Sequence, residues 1–286
     1  MTRWRRNAGW VWRCGPLLWV ASLGACSILV PPPEPPTSSP PSAAAPTRPA
    51  PATTSRAPST TSAGQTSTGV CSGALPGSVP RQPGTPVALP RAAAARALLA
   101  GLVTAPRLDG RDFCRSAFGP DQWLDLDRNG CSARQDILVR QAVQLRVGYI
   151  RSHGSTCKEA LSGTWVDAYT GARITIANLK DGAQAATLQI DHIVSLYEAW
   201  VSGAKRWTPA QRLVFAQDVA APELWAVAGS VNFGKAYRGA DSWTPPAPAL
   251  RCRFATAYVV VKVKYDLTVT AAERASLSTM LATCRA

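Results

Sequence analysis

TLQIDHIVSLYEAW, residues 187–200, changes its pattern halfway along. The run 186–190 is short and apolar-rich, which reads as a strand. VSLYEAWVSGA, residues 194–204, reads as a helix that Gly203 stops. Between them stands Asp191-His192, and this chain has only two histidines. The pair is either a catalytic couple or an ordinary polar strand end. Neighbouring residues on a regular strand face opposite ways, so both serve one site only if the strand ends or twists there. The helix signal that follows at once makes such an ending the expectation.

Downstream, TPAQRLVFAQD (208–218) is expected to be a helix with Thr208 as N-cap and Pro209 in its first position. LWAVAG (224–229) reads as a short strand, and VNFGKAYRG (231–239) as a short helix or turn. CRFATAYVVVKVKYDL (252–267) reads as a long apolar-rich helix. Thr270 and Glu273 form a capping box that opens the last helix. Upstream, RAAAARALLAGLVTA (91–105) is Ala/Leu-rich and helical. DLDRNGCSARQDILVRQAVQLRV (125–147) reads as a turn and then a helix over 133–147. GTWVDAYTGARITIANL (163–179) reads as strands at 164–166 and 173–177 about a turn at 167–171. The sum is an α+β fold with a small antiparallel sheet and flanking helices. The tryptophans at 200, 207, 225 and 243 are expected in the core, with base stacking as the alternative for an exposed one.

The chain of 286 residues is not uniform. Residues 1–25 combine arginines with the short apolar run PLLWVASLGA, the pattern of an export signal. LGAC, residues 23–26, resembles the lipobox of bacterial lipoproteins, which implies lipidation at Cys26 and a membrane partner through that anchor. Simple secretion and an uncleaved anchor are the alternatives. Residues 26–84 are dominated by Pro, Ser, Thr, Ala and Gly and cannot bury enough apolar surface to offset ordering entropy. They are expected to form a disordered stalk, with one folded domain over 85–286.

Export sets the reading of the cysteines. With Cys14 in the signal and Cys26 lipidated, Cys71, Cys114, Cys131, Cys157, Cys252 and Cys284 remain, an even number suited to an oxidising compartment. The preferred pairs are Cys131–Cys157, Cys252–Cys284 and Cys71–Cys114, each tying one segment to its neighbour. No C-x-x-C or paired Cys/His spacing favours the competing zinc reading. The second histidine, His153, lies in a polar loop and is expected to be structural or solvated. The net charge is +14. Four of those charges, Arg3, Arg5, Arg6 and Arg13, belong to the signal, so the domain itself stays basic. A basic exported domain suits a polyanion such as nucleic acid, or simply solubility near an acidic wall. DLDRNGCSARQD places Asp125, Asp127, Asn129 and Asp136 at positions 1, 3, 5 and 12 of an EF-hand-like loop. That is a possible Ca²⁺ site, or else a polar turn that caps the following helix.

Several stretches together carry a resemblance: DLDRNGCSAR (125–134), SGTWVDAYTG (162–171), IDHIVSLYEAWVSGAKRWT (190–208), RLVFAQD (212–218), SVNFGK (230–235), WTPP (243–246) and CRFATAYVVVKVKY (252–265). They resemble the exported actinobacterial branch of the HNH-type nucleases, related to the C-terminal domain of GmrSD-type restriction enzymes, the domain of unknown function 1524. The resemblance covers about residues 107–284. It implies a ββα-metal (HNH, His-Me finger) centre and phosphodiester hydrolysis of nucleic acid. Carried over, His192 is the general base, Asp191 and Asn232 hold one Mg²⁺ or Mn²⁺, and Lys235 contacts a phosphate from the rim. The residue types suit these roles. Imidazole titrates near neutrality, and carboxylate and amide oxygens are hard ligands. Asn232 taken alone is a common helix N-cap. Three departures stand out. Related sequences carry asparagine at the positions of Glu223 and Gln217, and Gly-Asp after the lysine where AYRGAD stands here. Glu223 is therefore expected to accept a hydrogen bond from His192 and raise its pKa. A non-catalytic surface lipoprotein that binds polyanions through its basic face is the alternative function.

Overall fold

The computed structural model describes residues 71–152 and 154–285. The expected export signal at 1–25, the expected lipidation site Cys26 and the expected stalk up to residue 70 lie outside the described residues, as does His153. Among the described residues no helix is long and apolar enough to cross a membrane.

The architecture is α+β. In chain order the elements are α1 (Ala92–Gly101), α2 (Ala133–Gln141), β1 (Ala142–Ser152), β2 (Ser155–Val166), β3 (Arg173–Ile176), α3 (Gly182–Ala186), β4 (Leu188–His192), α4 (Leu196–Val201), α5 (Pro209–Ala216), β5 (Leu224–Ala228), α6 (Gly229–Lys235), α7 (Pro248–Lys264) and α8 (Ala271–Ala282). Two small antiparallel sheets result, β1-β2-β3 and β4-β5.

The helix expected over 133–147 is corrected. It stops at Gln141, and Ala142 turns straight into β1. The stretch VQLRV alternates polar and apolar residues, and Tyr149 and Ile150 follow it, so a strand period competes with helix propensity there. A partner decides the contest: β1 pairs along its length with β2, from Ala142 opposite Trp165 to Ser152 opposite Ser155. Only the end of β2, at 164–166, was legible beforehand. The Asp167–Gly171 turn into β3 forms as expected, with Gly171 at φ 76°.

The folded part also begins earlier than residue 85. Cys71 is bridged to Cys114, Gln82 N–H donates to Leu126 O (2.8 Å) and Arg81 Nε donates to Asp127 O (2.7 Å). All three expected disulfides form, with Cα separations of 5.8 Å for Cys71–Cys114, 4.9 Å for Cys131–Cys157 and 5.0 Å for Cys252–Cys284. The last joins the start of α7 to the chain just beyond α8.

Two apolar clusters hold the domain. The larger unites α1, α4, α5, α7 and α8 around Trp200, Phe215, Tyr169, Phe254 and Tyr258. The smaller packs α2 on β2, β4 and β5 through Ile137, Leu138, Trp165 and Leu188. Trp200 and Trp225 are buried, and Trp207 and Trp243 pack half-buried on the larger cluster. Inside the helical layer the fully buried Lys262 of α7 lies 2.9 Å from Glu198 of α4 and 3.1 Å from Glu273 of α8. Arg107 adds contacts to Glu198 (2.9 Å) and Asp241 (2.8 Å). The capping-box glutamate Glu273 therefore serves two structures at once, the cap of α8 and this charge cluster.

Candidate active site

Strand β4 supplies the site. It pairs with β5 from Leu188 opposite Ala228 to His192 opposite Leu224, and α6 follows β5 without a linker. Gly229 makes that junction possible, because a Cβ there would lie 2.4 Å from Ala186 O. Alternation along β4 sends Gln189 and Asp191 towards α6. Two consecutive inward positions of the strand then meet two positions of the helix three apart. Asn232 Nδ2 donates to Gln189 Oε1 (2.8 Å), and Lys235 Nζ lies 3.0 Å from Asp191 Oδ2. Leu188, Ile190 and His192 occupy the opposite face. Leu188 and Ile190 enter the smaller core, while the His192 ring lies between Trp123 and Phe215. Because the strand ends at His192, residues of both faces reach one cleft. Asp191, His192 and Asn232 all line a cavity of about 590 Å³.

The state of the His192 ring follows from its contacts. Its Nε2 lies 2.9 Å from Ala216 O. A carbonyl only accepts, so Nε2 carries the proton and Nδ1 holds the free lone pair. The ring is stacked on Trp123 at 5.8 Å and 15° and on Phe215 at 6.4 Å and 13°. Burial pushes its pKa down to about 3, and the Ala216 hydrogen bond opposes that only in part. His192 is thus neutral at physiological pH, with a fixed plane and a fixed tautomer.

Asp191 is held from two sides. Tyr169 Oη donates to its Oδ2 (2.5 Å), and Lys235 Nζ reaches both its oxygens and also His192 O (2.7 Å). Burial first, then the Asp191 charge, keeps the Tyr169 hydroxyl protonated. Tyr169 belongs to the turn of the DAYTG stretch. Within the sequence Tyr169 is only one residue of a turn, and its link to Asp191 spans 22 residues.

Two expectations are corrected here. Lys235 is not at the rim. It is fully buried beneath Asp191 as its counter-charge and cannot touch a phosphate without leaving that pair. Glu223 makes no hydrogen bond to the His192 ring. Its Oε2 accepts from Val194 N–H (3.3 Å), its Oε1 is buried without a partner, and burial pushes its pKa well above the ordinary carboxyl value. The orienting acceptor for His192 is the Ala216 carbonyl, a backbone group that side-chain motifs do not reveal. Gln217 has a related task. Its Oε1 accepts from Leu124 N–H (3.0 Å) and its Nε2 donates to Gln122 O (3.1 Å), which clamps the loop carrying Trp123 over His192.

For a hard divalent cation the residue types fit. Asn232 spends Nδ2 on Gln189, and its Oδ1 accepts no hydrogen bond among the described residues. Asp191 keeps lone pairs beyond those used by Tyr169 and Lys235. Two oxygen ligands are few, and suit an ion that retains several waters. No group of three or more His, Cys, Asp or Glu side chains among the described residues is arranged to hold a metal. That includes the EF-hand-like loop. There Asn129 Nδ2 donates to Asp127 and Asp136 (3.0 Å each), Asp125 accepts from Asn129 and Gly130 backbone N–H, and no α-helix leads into the loop. Burial raises the Asp136 carboxyl to about 6. The loop is a self-bonded polar turn in front of α2, whose N-cap Ser132 makes no side-chain cap bond, and Cys131–Cys157 staples it to β2.

A secreted protein of Arthroderma benhamiae, named only as an "Uncharacterized secreted protein", is 36% identical to this chain over 211 residues, which are 74% of this chain and 93% of that protein. No family model matches the chain, and no solved structure matches it.

Proposed function

This chain belongs to the same family as that fungal secreted protein and is itself exported, and on that premise we propose that it is a metal-dependent endonuclease that cleaves phosphodiester bonds outside the cell. The observation that carries the reading is the convergence of Asp191, His192 and Asn232 on one cleft, with His192 neutral and its Nδ1 free. In the mechanism His192 Nδ1 accepts the proton of a water whose oxygen bonds to the phosphorus, the P–O ester bond opposite it breaks, and the leaving oxygen takes a proton from solvent water. Ala216 O fixes the tautomer and steadies the imidazolium that forms. Trp123 and Phe215 hold the ring plane, so the base does not have to be ordered at the moment of reaction. Asp191 and Asn232 would hold one Mg²⁺ or Mn²⁺, which supplies charge neutralisation on the phosphate. Tyr169 and Lys235 position Asp191. Lys235 also offsets the carboxylate charge, so metal affinity is expected to be weak. Lipidation of Cys26 would keep this domain at the cell surface on its stalk.

The alternative, a polyanion binder without catalysis, rests on the same Lys235–Asp191 pair, since a carboxylate already matched by a buried ammonium needs no metal. Incubating DNA and RNA with the purified protein across a series of Mg²⁺ and Mn²⁺ concentrations separates the two. The nuclease reading expects cleavage that chelator abolishes and that Asn232→Ala shifts to higher metal concentration. Binding without cleavage at every concentration would leave the binder.

A further inference from the structure

The candidate site has more apolar surface than metal and base chemistry needs. Helix α6 presents Phe233 at 87% exposure beside Asn232, and Tyr237 just beyond the helix at 67%. These are the two most exposed large apolar side chains of the described domain, and both line the cleft of His192. Leaving a phenylalanine ring in water is unfavourable, and Tyr237 beside it is held in place. The chain leaves α6 through Ala236 at φ 50°, an uncommon conformation for a residue with a Cβ. Ser195 Oγ donates to Tyr237 O (2.8 Å), and Tyr197 braces the Tyr237 ring edge-on at 5.5 Å. On the other side of the cleft Trp123 lies flat against His192.

Two guanidinium groups share this cleft, those of Arg115 and Arg134. Arg134 of α2 is half-buried, makes no salt bridge among the described residues, and its one hydrogen bond is a long one to Leu188 O (3.4 Å). Burial disfavours its charge, so an anion arriving there is favoured. Arg115 is exposed and among the described residues pairs only with Asp121 at 3.7 Å, itself exposed. A second cavity of about 570 Å³ adjoins the first and shares Arg115, Trp123, His192 and Leu196 with it. The groove therefore continues on both sides of the histidine.

We infer that this groove binds single-stranded or unpaired nucleic acid, with bases stacked on Phe233 and Tyr237 and phosphates on Arg115 and Arg134. Stacking on a side chain needs an open base face, and in a duplex the neighbouring base pairs cover both faces. Planar rings interleaved with cations are complementary to unstacked bases and their backbone. A volume of this order holds small-molecule-sized groups, which suits a strand of a few nucleotides. The inference deepens the nuclease proposal by naming its substrate class, and rests on that proposal only for the idea that the scissile phosphate lies at His192.

The test is binding in chelator, which does not depend on cleavage. Anisotropy of a labelled oligo-dT is compared with that of a hairpin duplex of equal phosphate number, for the full exported protein and its variants. The wild type is expected to bind the single strand at least about tenfold more tightly than the duplex. Phe233→Ala with Tyr237→Ala should weaken single-strand binding by a factor on the order of 10 to 100 and leave duplex binding unchanged. Both side chains are exposed, so an unchanged melting temperature confirms folding. Arg134→Gln should weaken binding and reduce the slope of log affinity against log salt by about one. Equal binding of duplex and single strand, or no effect of the double aromatic variant, would overturn the inference. Failure of the nuclease proposal looks different: aromatic-dependent single-strand binding with no cleavage in any metal leaves the groove standing without the reaction. Cleavage of duplex, unaffected by the aromatic variants, does the reverse.

Discussion

At the scale of single residues, His192 and Glu223, both buried near the site, have opposite pH consequences. The folded pKa of His192, about 3, lies below its ordinary 6.5. As pH falls the unfolded chain binds the proton first, so the stability tied to this group is complete above about 6.5 and is lost as pH drops towards 3. Urea midpoints measured from pH 7 to 4 should fall more steeply for the wild type than for His192→Gln; parallel slopes would mean that the ring is more solvated than the structure has it. Glu223 runs the other way, since burial raises its folded pKa above 4.5. Its contribution is complete below the ordinary value and is lost as pH rises through the folded one. Glu223→Gln should remove that alkaline decline without moving the pH dependence of cleavage, because Glu223 makes no hydrogen bond to the His192 ring. Much at this scale was legible. Asp191, His192 and Asn232 were named through the resemblance, and they share a cleft because β4 ends at His192 and α6 follows the strand that pairs with it. The depth of Lys235, the idle Oε1 of Glu223 and the carbonyl of Ala216 were not legible, because each depends on what a distant segment places opposite.

Elements with their own start and stop signals behaved as those signals direct. Thr208 and Thr270 each close a complete capping box, with Gln211 and Glu273. The hairpin β1–β2 failed to announce itself because its first strand follows α2 without a break and its partner is needed to choose between periods. Helix α8 allows the two kinds of stabilisation to be told apart. Thr270→Ala removes only the cap and should cost about 1 kcal/mol. Glu273→Ala removes the cap partner and also leaves Lys262 buried beside Glu198 alone, which should cost about 3–5 kcal/mol. Equal losses in chemical unfolding would show that the buried cluster contributes little.

Over the whole molecule, each of the three disulfides cross-links two segments of the described fold. Cys71–Cys114 ties in the leading segment, Cys131–Cys157 joins the acidic loop to β2, and Cys252–Cys284 locks α7 to the end of the chain. The second matters most for the site, because α2 carries Arg134 directly behind that loop. Replacing Cys131 and Cys157 by serine should lower stability by about 3 kcal/mol and weaken substrate binding more than the Cys252/Cys284 pair of replacements does. The pairing was legible because export, an even cysteine count and sequence proximity agree. The early start of the fold was not, because residues 71–84 are held by single backbone contacts and one bridge rather than by an apolar pattern.

The central claim is that His192 is the base of a hydrolytic site, and one comparison addresses it directly. Circular single-stranded DNA and supercoiled plasmid are incubated with wild type and His192→Ala in Mg²⁺ or Mn²⁺, and binding is followed in parallel in chelator. The account predicts nicking by the wild type, a loss on the order of 10²- to 10⁴-fold in the variant, and binding that hardly changes, since backbone affinity comes from the arginines and lysines. A variant that cuts at the wild-type rate, or a wild type that cuts neither substrate in either metal, would contradict it.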